Sequence, residues 1–249
     1  MRIGSLFSGI GGLELGLEWA GVGRTVFQVE LDTYCQSVLA RHWPNAERFT
    51  DVCSVGRHNL PPVDLLCGGF PCQDVSVANR AGAGLSGARS GLWSQFERVA
   101  QELQPTWIVV ENVGHGSSRW VDGVERALER HGYQTLPIPL AAQHCGAPHV
   151  RSRFFVVAFA IGQPLRQLEQ RIAARQPHRV QDEGQAQPVD PGTSGRWAAL
   201  PSLCRDDDGI PTTLDAARLR ALGNAVVPQC AEVVGHVVLR LSAHLGATS

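Results

Sequence analysis

Lysine is absent from this 249-residue chain, and all 22 of its basic residues are arginine. Every cationic side-chain contact then falls to a guanidinium, whose planar fork suits phosphates and guanine edges; a coding preference for arginine is the plainer account of the same count. An excess of charge is missing too. With 22 basic and 23 acidic residues the net charge is −1, so composition gives no sign of a polyanionic partner, and any face for one has to be local. No Cys-x-x-Cys pair occurs among the seven cysteines scattered from Cys35 to Cys230, which argues against a disulfide framework and a zinc site and for reduced thiols. His144, Cys145 and His149 crowd together without a distant partner pair, so no metal is expected. The opening stretch holds Glu14 and Glu18 among glycines, matching neither a secretory signal nor a membrane span. A cytoplasmic protein with no membrane association is the expectation.

What is present is apolar sequence, 43% of the chain, enough for one substantial core. Apolar runs alternate with helical spacing through the first two thirds, the rhythm of an open α/β sheet. Ile3–Phe7 reads as a strand, Leu13–Ala20 as the helix after a glycine turn, Thr25–Val29 as a strand ending at Glu30, and Thr33–His42 as the next helix. Val63–Cys67 and Trp107–Val110 are apolar on both faces, as in the buried middle of a sheet, and Phe154–Ala160 reads as a strand near its edge. From Gly162 to about Gly209 the chain is polar and aperiodic, the mark of an inserted lobe or long mobile segment. Helical spacing returns over Asp215–Leu245, broken at Gly223–Pro228.

Three places carry chemistry. Phe7-Ser8-Gly9-Ile10-Gly11-Gly12 lies between a strand and a helix, where glycines let the backbone approach a ligand closely; a dinucleotide, another nucleoside cofactor or a purely structural turn fits equally. Glu30, at the end of the following strand, can accept hydrogen bonds from both hydroxyls of a ribose. Gly68-Gly69-Phe70-Pro71-Cys72-Gln73 is more specific. It puts Cys72 beyond a buried strand at the ligand edge of the sheet, held by the rigid Pro71, where a thiolate can act as a nucleophile. Cys67, inside the strand, reads as an inert core cysteine. Glu111-Asn112-Val113 ends the Trp107–Val110 strand and brings a carboxyl to the same edge, where apolar walls can raise its pKa toward neutrality.

These elements, with Arg151-Ser152-Arg153 and Gly223-Asn224-Ala225-Val226, stand in the order found in the cytosine-5 DNA methyltransferase family, which the chain resembles over nearly its whole length outside the polar insert. Asp208-Gly209-Ile210-Pro211 is similar to a segment of the compact phage and prophage members. The resemblance implies a Rossmann-like S-adenosylmethionine-dependent methyltransferase fold with a short inserted target-recognition segment. Residues 1–161 would form the catalytic and cofactor-binding domain, 162–210 the recognition segment, and 211–249 helices completing the first domain. It gives Cys72 the attack on C6 of cytosine, Glu111 the N3 position, Arg151 the O2 side, and Arg153 an ordering or backbone-contacting role. Phe7, Ser8, Gly9, Gly11 and Gly12 would hold the methionine and ribose side of S-adenosylmethionine, with Pro71 beside them. Glu30 would hold the ribose, Leu31 the adenine face and Asp51 with Val52 the adenine edge, while Asn224 and Val226 close the pocket. Double-stranded DNA is the implied partner and the enzyme a monomer, while the sequence leaves open whether a cognate restriction endonuclease accompanies it. Residues 74–90, rich in glycine and arginine, read as a lid over a flipped base. Two departures stand out: His149 replaces the family's usual Gln before Arg151, and the recognition segment is short.

Overall fold

The computed structural model describes residues 1–71, 91–113, 119–160 and 212–247. Cys72, the expected lid at 74–90 and the expected recognition segment at 162–210 lie outside the described residues. Seven strands, β1 (Arg2–Leu6), β2 (Arg24–Val29), β3 (Glu47–Phe49), β4 (Leu65–Gly68), β5 (Trp107–Val113), β6 (Tyr133–Ala141) and β7 (Ser152–Ala160), form one sheet in the order β3-β2-β1-β4-β5-β7-β6. The first five are parallel, whereas β7 runs antiparallel to both β5 and β6. Chain order reverses between β1 and β4, and such a reversal opens a crevice at the carboxyl ends of the strands.

The central strands are apolar throughout because each face meets its own helical layer. Leu65, Cys67, Trp107 and Val109 pack with Leu13 and Leu17 of α1 (Gly12–Trp19) and with Ala231, Val234 and Val238 of α6 (Pro228–Ala247). On the opposite face Leu66, Ile108 and Val110 meet Trp93 and Phe96 of α3 (Gly91–Leu103) and Val124 and Leu128 of α4 (Arg119–Arg130). Phe96 and Leu128 are wholly buried, and each burial stabilises the fold by about 2 kcal/mol. α2 (Thr33–His42) starts at Asp32, whose side chain accepts from the amides of Tyr34 and Cys35. Cys67 is the core cysteine its place in the strand implies: burial pushes its thiol well above the usual range.

The structure departs from the sequence reading at several elements. β5 does not stop at Val110 but runs through Val113, because β7 keeps pairing with it, Glu111 opposite Phe155 and Val113 opposite Arg153. β4 ends at Gly68, so Glu111 stands on a strand that outruns its parallel neighbour and faces the crevice. The Phe154–Ala160 strand, within β7, does lie near the edge as expected, one place in from β6. β3, β6, α3 and α4 were not anticipated. The C-terminal helices, α5 (Thr212–Asn224) and α6, are broken where expected. By length and hydropathy alone Ala216–Leu245 could cross a membrane, yet α6 buries Cys230, Ala231, Val234 and Val238 in the core shared with α1.

Candidate active site

Beyond Leu6 the chain turns into α1 through a backbone with little freedom. Phe7 has φ 55°, a left-handed conformation strained for a residue with a side chain, and the amide of Ser8 donates to the carbonyl of Val29 at 3.1 Å. A β-carbon on Gly12 would lie 2.2 Å from the carbonyl oxygen of Val226, so glycine alone lets the turn meet the C-terminal segment. Glu30 ties the turn to β2. Its carboxylate accepts from the amide of Gly9 at 2.6 Å and from that of Asp32 at 2.8 Å, one oxygen for each. Each oxygen retains a lone pair for a hydroxyl.

Glu111 is 7% exposed, and its Oε1 lies 3.0 Å from Nε of Arg153. Burial pushes its carboxyl up to about 7, outweighing the guanidiniums of Arg153 and Arg151. The loop after β4 passes close by: a β-carbon on Gly69 would sit 2.7 Å from Oε2 of Glu111. Asn112 pins that loop, its amide nitrogen donating to the carbonyl of Phe70 at 2.9 Å. The pinned loop carries Pro71, one residue before Cys72. Asn112 is a positioning residue to which the sequence reading gave no role; a wholly polar side chain amid the buried run of β5 was the available signal.

One cavity of about 450 Å³ is lined by Phe7, Gly9, Glu30, Leu31, Asp51, Val52, Pro71 and Asn224, with Glu111 and Arg153 also on its wall. Leu31 is 75% exposed, and Asp51 caps the 3₁₀ turn Val52–Ser54 by accepting from the amide of Cys53. Ser8 and Val226 line an adjoining recess, which shares Phe7, Gly9, Gly69, Glu111 and Asn224 with the cavity. Gly11 and Gly12 line neither space and shape the turn behind them. Arg151, expected at the base, also lines neither; its guanidinium donates to the carbonyls of Gly223, at 2.8 Å, and Ala225. Of the two, Arg153 is the one that lines the cavity, on whose wall Arg220 also stands. The arrangement offers a carboxylate poised for a diol, a buried acid that titrates near neutrality, and a guanidinium beside it.

A family model for C-5 cytosine-specific DNA methylases matches residues 1–192. Among named relatives, the type II methyltransferase M2.BsuMI of Bacillus subtilis is 33% identical, the match covering 66% of this chain and 43% of that one. The orphan methyltransferase M.SPRI of Bacillus phage SPR is 34% identical over 63% of this chain and 37% of its own length. The matched part thus spans less than half of these relatives. Among solved structures, an E. coli prophage protein described as a DNA modification methyltransferase is 29% identical, with a TM-score of 0.52 over 64% of this chain and 47% of that one. Dnmt2 of S. pombe, 19% identical with a TM-score of 0.51 over 75% of this chain and 57% of that one, shares the fold. With the methyltransferase strand order, the glycine turn and the Glu111 strand on one crevice, this chain belongs to the C-5 cytosine-specific DNA methylase family.

Proposed function

We propose that the chain transfers a methyl group from S-adenosylmethionine to C5 of cytosine in double-stranded DNA, through a covalent bond from Cys72 to C6 of a flipped-out base. The observation that carries this reading is the single cavity onto which Glu30, Pro71, Glu111 and Arg153 all open. Its volume lies in the range of small-ligand sites. Glu30 with two free lone pairs suits a ribose diol, and Leu31, Asp51 and Val52 on the same wall suit the flat base beyond it. S-adenosylmethionine, when bound, supplies an electrophilic methyl group on a sulfonium.

The chain's own residues do the rest. Cytosine C5 is a weak nucleophile until the sulfur of Cys72 adds to C6, which moves the ring's π electrons toward C5 and N3. Glu111, partly protonated near neutrality, donates a hydrogen bond at N3 and disperses the charge that collects there. C5 then takes the methyl group; loss of its proton to a base re-forms the double bond and expels the sulfur. Arg153 holds Glu111 in place. Arg151 keeps the Gly223–Ala225 turn closed against the pocket, and reaches the O2 side of the base if it exchanges those carbonyls for it. Flipping the base out of the duplex costs about a few kcal/mol, and closing the lid expected at 74–90 over it would offset that cost. On this reading the enzyme is a cytoplasmic monomer, and its relatives, named both type II and orphan methyltransferases, are in keeping with a role either with or without a cognate restriction endonuclease.

DNA from cells producing the protein, sequenced after bisulfite conversion, is expected to show protected cytosines in one short sequence context. Conversion throughout, in cells that contain the folded protein, would reject the activity. Glu30→Ala is expected to weaken S-adenosylmethionine binding by about tenfold or more, as the loss of charge-assisted hydrogen bonds predicts. Calorimetric titration measures it, and an unchanged affinity would move the ribose elsewhere.

A further inference from the structure

Glu14 has no part in the chemistry described so far, yet it is 0% exposed. It stands on the first turn of α1, directly below the glycine turn. One oxygen, Oε1, accepts from Nε2 of Gln28 at a long 3.5 Å, and the other, Oε2, has no hydrogen-bond partner among the described residues. A carboxylate taken out of water in this way is costly unless something cationic meets it. The hydroxyls of Ser5 and Ser8, 2.9 Å apart, lie beside it, and all three residues belong to the lining of the recess that adjoins the main cavity. Glu111 also lines the recess. The recess, about 40 Å³, is the size of a small polar group. Glu30 lines the main cavity and not the recess, so a ligand whose ribose sits at Glu30 would point its far end into it.

An anionic group is disfavoured in a recess lined by two carboxyl residues, whereas a cation with several N–H donors satisfies the orphaned oxygen and both hydroxyls. We propose that Glu14, with Ser5 and Ser8, receives the α-ammonium group of the cofactor's amino-acid end. The assignment rests on S-adenosylmethionine being the cofactor. Burial pushes the free carboxyl up to about 7, against the lowering effect of Ser5, Ser8 and Gln28, so the group is ready to ionise when a cation arrives.

Two probes separate the possibilities: S-adenosylhomocysteine, and the same thioether without its amine. The unaltered protein is expected to bind the amine-bearing probe about 10- to 100-fold more tightly. Glu14→Gln should lose that preference while binding the amine-free probe as before, and Glu14→Asp, which keeps the charge, should retain it. Because the readout is a ratio within each protein, a partly folded variant gives the same answer. Equal affinity of the unaltered protein for both probes overturns the proposal, as does a Glu14→Asp protein that no longer distinguishes them. Failure of the unaltered protein to bind either probe would instead reject the cofactor reading.

Discussion

Duplex DNA carrying 5-fluorocytosine at the target is expected to become covalently linked to the unaltered protein in the presence of S-adenosylmethionine, and to remain unlinked with Cys72→Ser. Fluorine cannot leave C5 as the proton does, so the adduct is held once the methyl group has been transferred and the sulfur cannot be expelled. A serine hydroxyl ionises far above the thiol range and is a poor nucleophile near neutral pH, so both the adduct and methyl transfer should be lost with S-adenosylmethionine affinity unchanged. A denaturing gel reads the outcome directly. Adducts that persist with serine at position 72 would assign the nucleophile to another residue. The structural support is indirect: Asn112 fixes the carbonyl of Phe70, and Pro71 lines the cavity one residue before Cys72.

Glu111→Gln carries the second large effect, about 10²- to 10⁴-fold in the rate of methyl transfer, the range for loss of a positioned acid. Glutamine keeps an acceptor for Arg153 but has no titrating proton, so the pH profile should change along with the rate. In the unaltered protein the donating form of Glu111 is depleted as pH rises through about 7; the variant should lack that falling limb. Stability supplies an independent check. The folded pKa is raised from 4.5 to about 7, so this group's contribution is fully present below the unfolded value and is lost as pH rises through the folded one. Between pH 4 and pH 8 the unaltered protein should lose about 3 kcal/mol relative to Glu111→Gln, at 1.36 kcal/mol per pKa unit. Chemical denaturation at both pH values measures it. A difference between the two proteins that does not vary with pH would mean that Glu111 titrates as an ordinary carboxyl.

Much of the framework was legible because its signals are local. Val63–Cys67 and Trp107–Val110 are short apolar runs, and a run buried on both faces looks the same wherever it sits in a parallel sheet. β6 escaped notice for the opposite reason: Pro137 and Pro139 interrupt it, and prolines are tolerated there because it lies at the edge. The apolar positions Trp93, Phe96, Val99 and Ala100 of α3, and Trp120, Val124 and Leu128 of α4, did carry helical spacing. The sequence reading gave neither stretch an element, although the spacing was there to be read. Residue types placed Glu30 and Glu111 at strand ends, but only the extra pairing with β7 explains why Glu111 overhangs its neighbour. Which of two arginines faces the cavity could not be read from Arg151-Ser152-Arg153: alternation puts both on one side, and the left-handed φ of 30° at Arg151 breaks that alternation.

The contact between Gly12 and Val226 joins two points far apart in the chain. The glycine turn leaves the ribosome early, while the segment that roofs it and the helix that buttresses α1 emerge more than 200 residues later. Until then the turn lacks a wall and α1 lacks its packing partner. On the proposed function, a chain that stops short of Val226 is expected to bind S-adenosylmethionine weakly, because the wall of the glycine turn is missing.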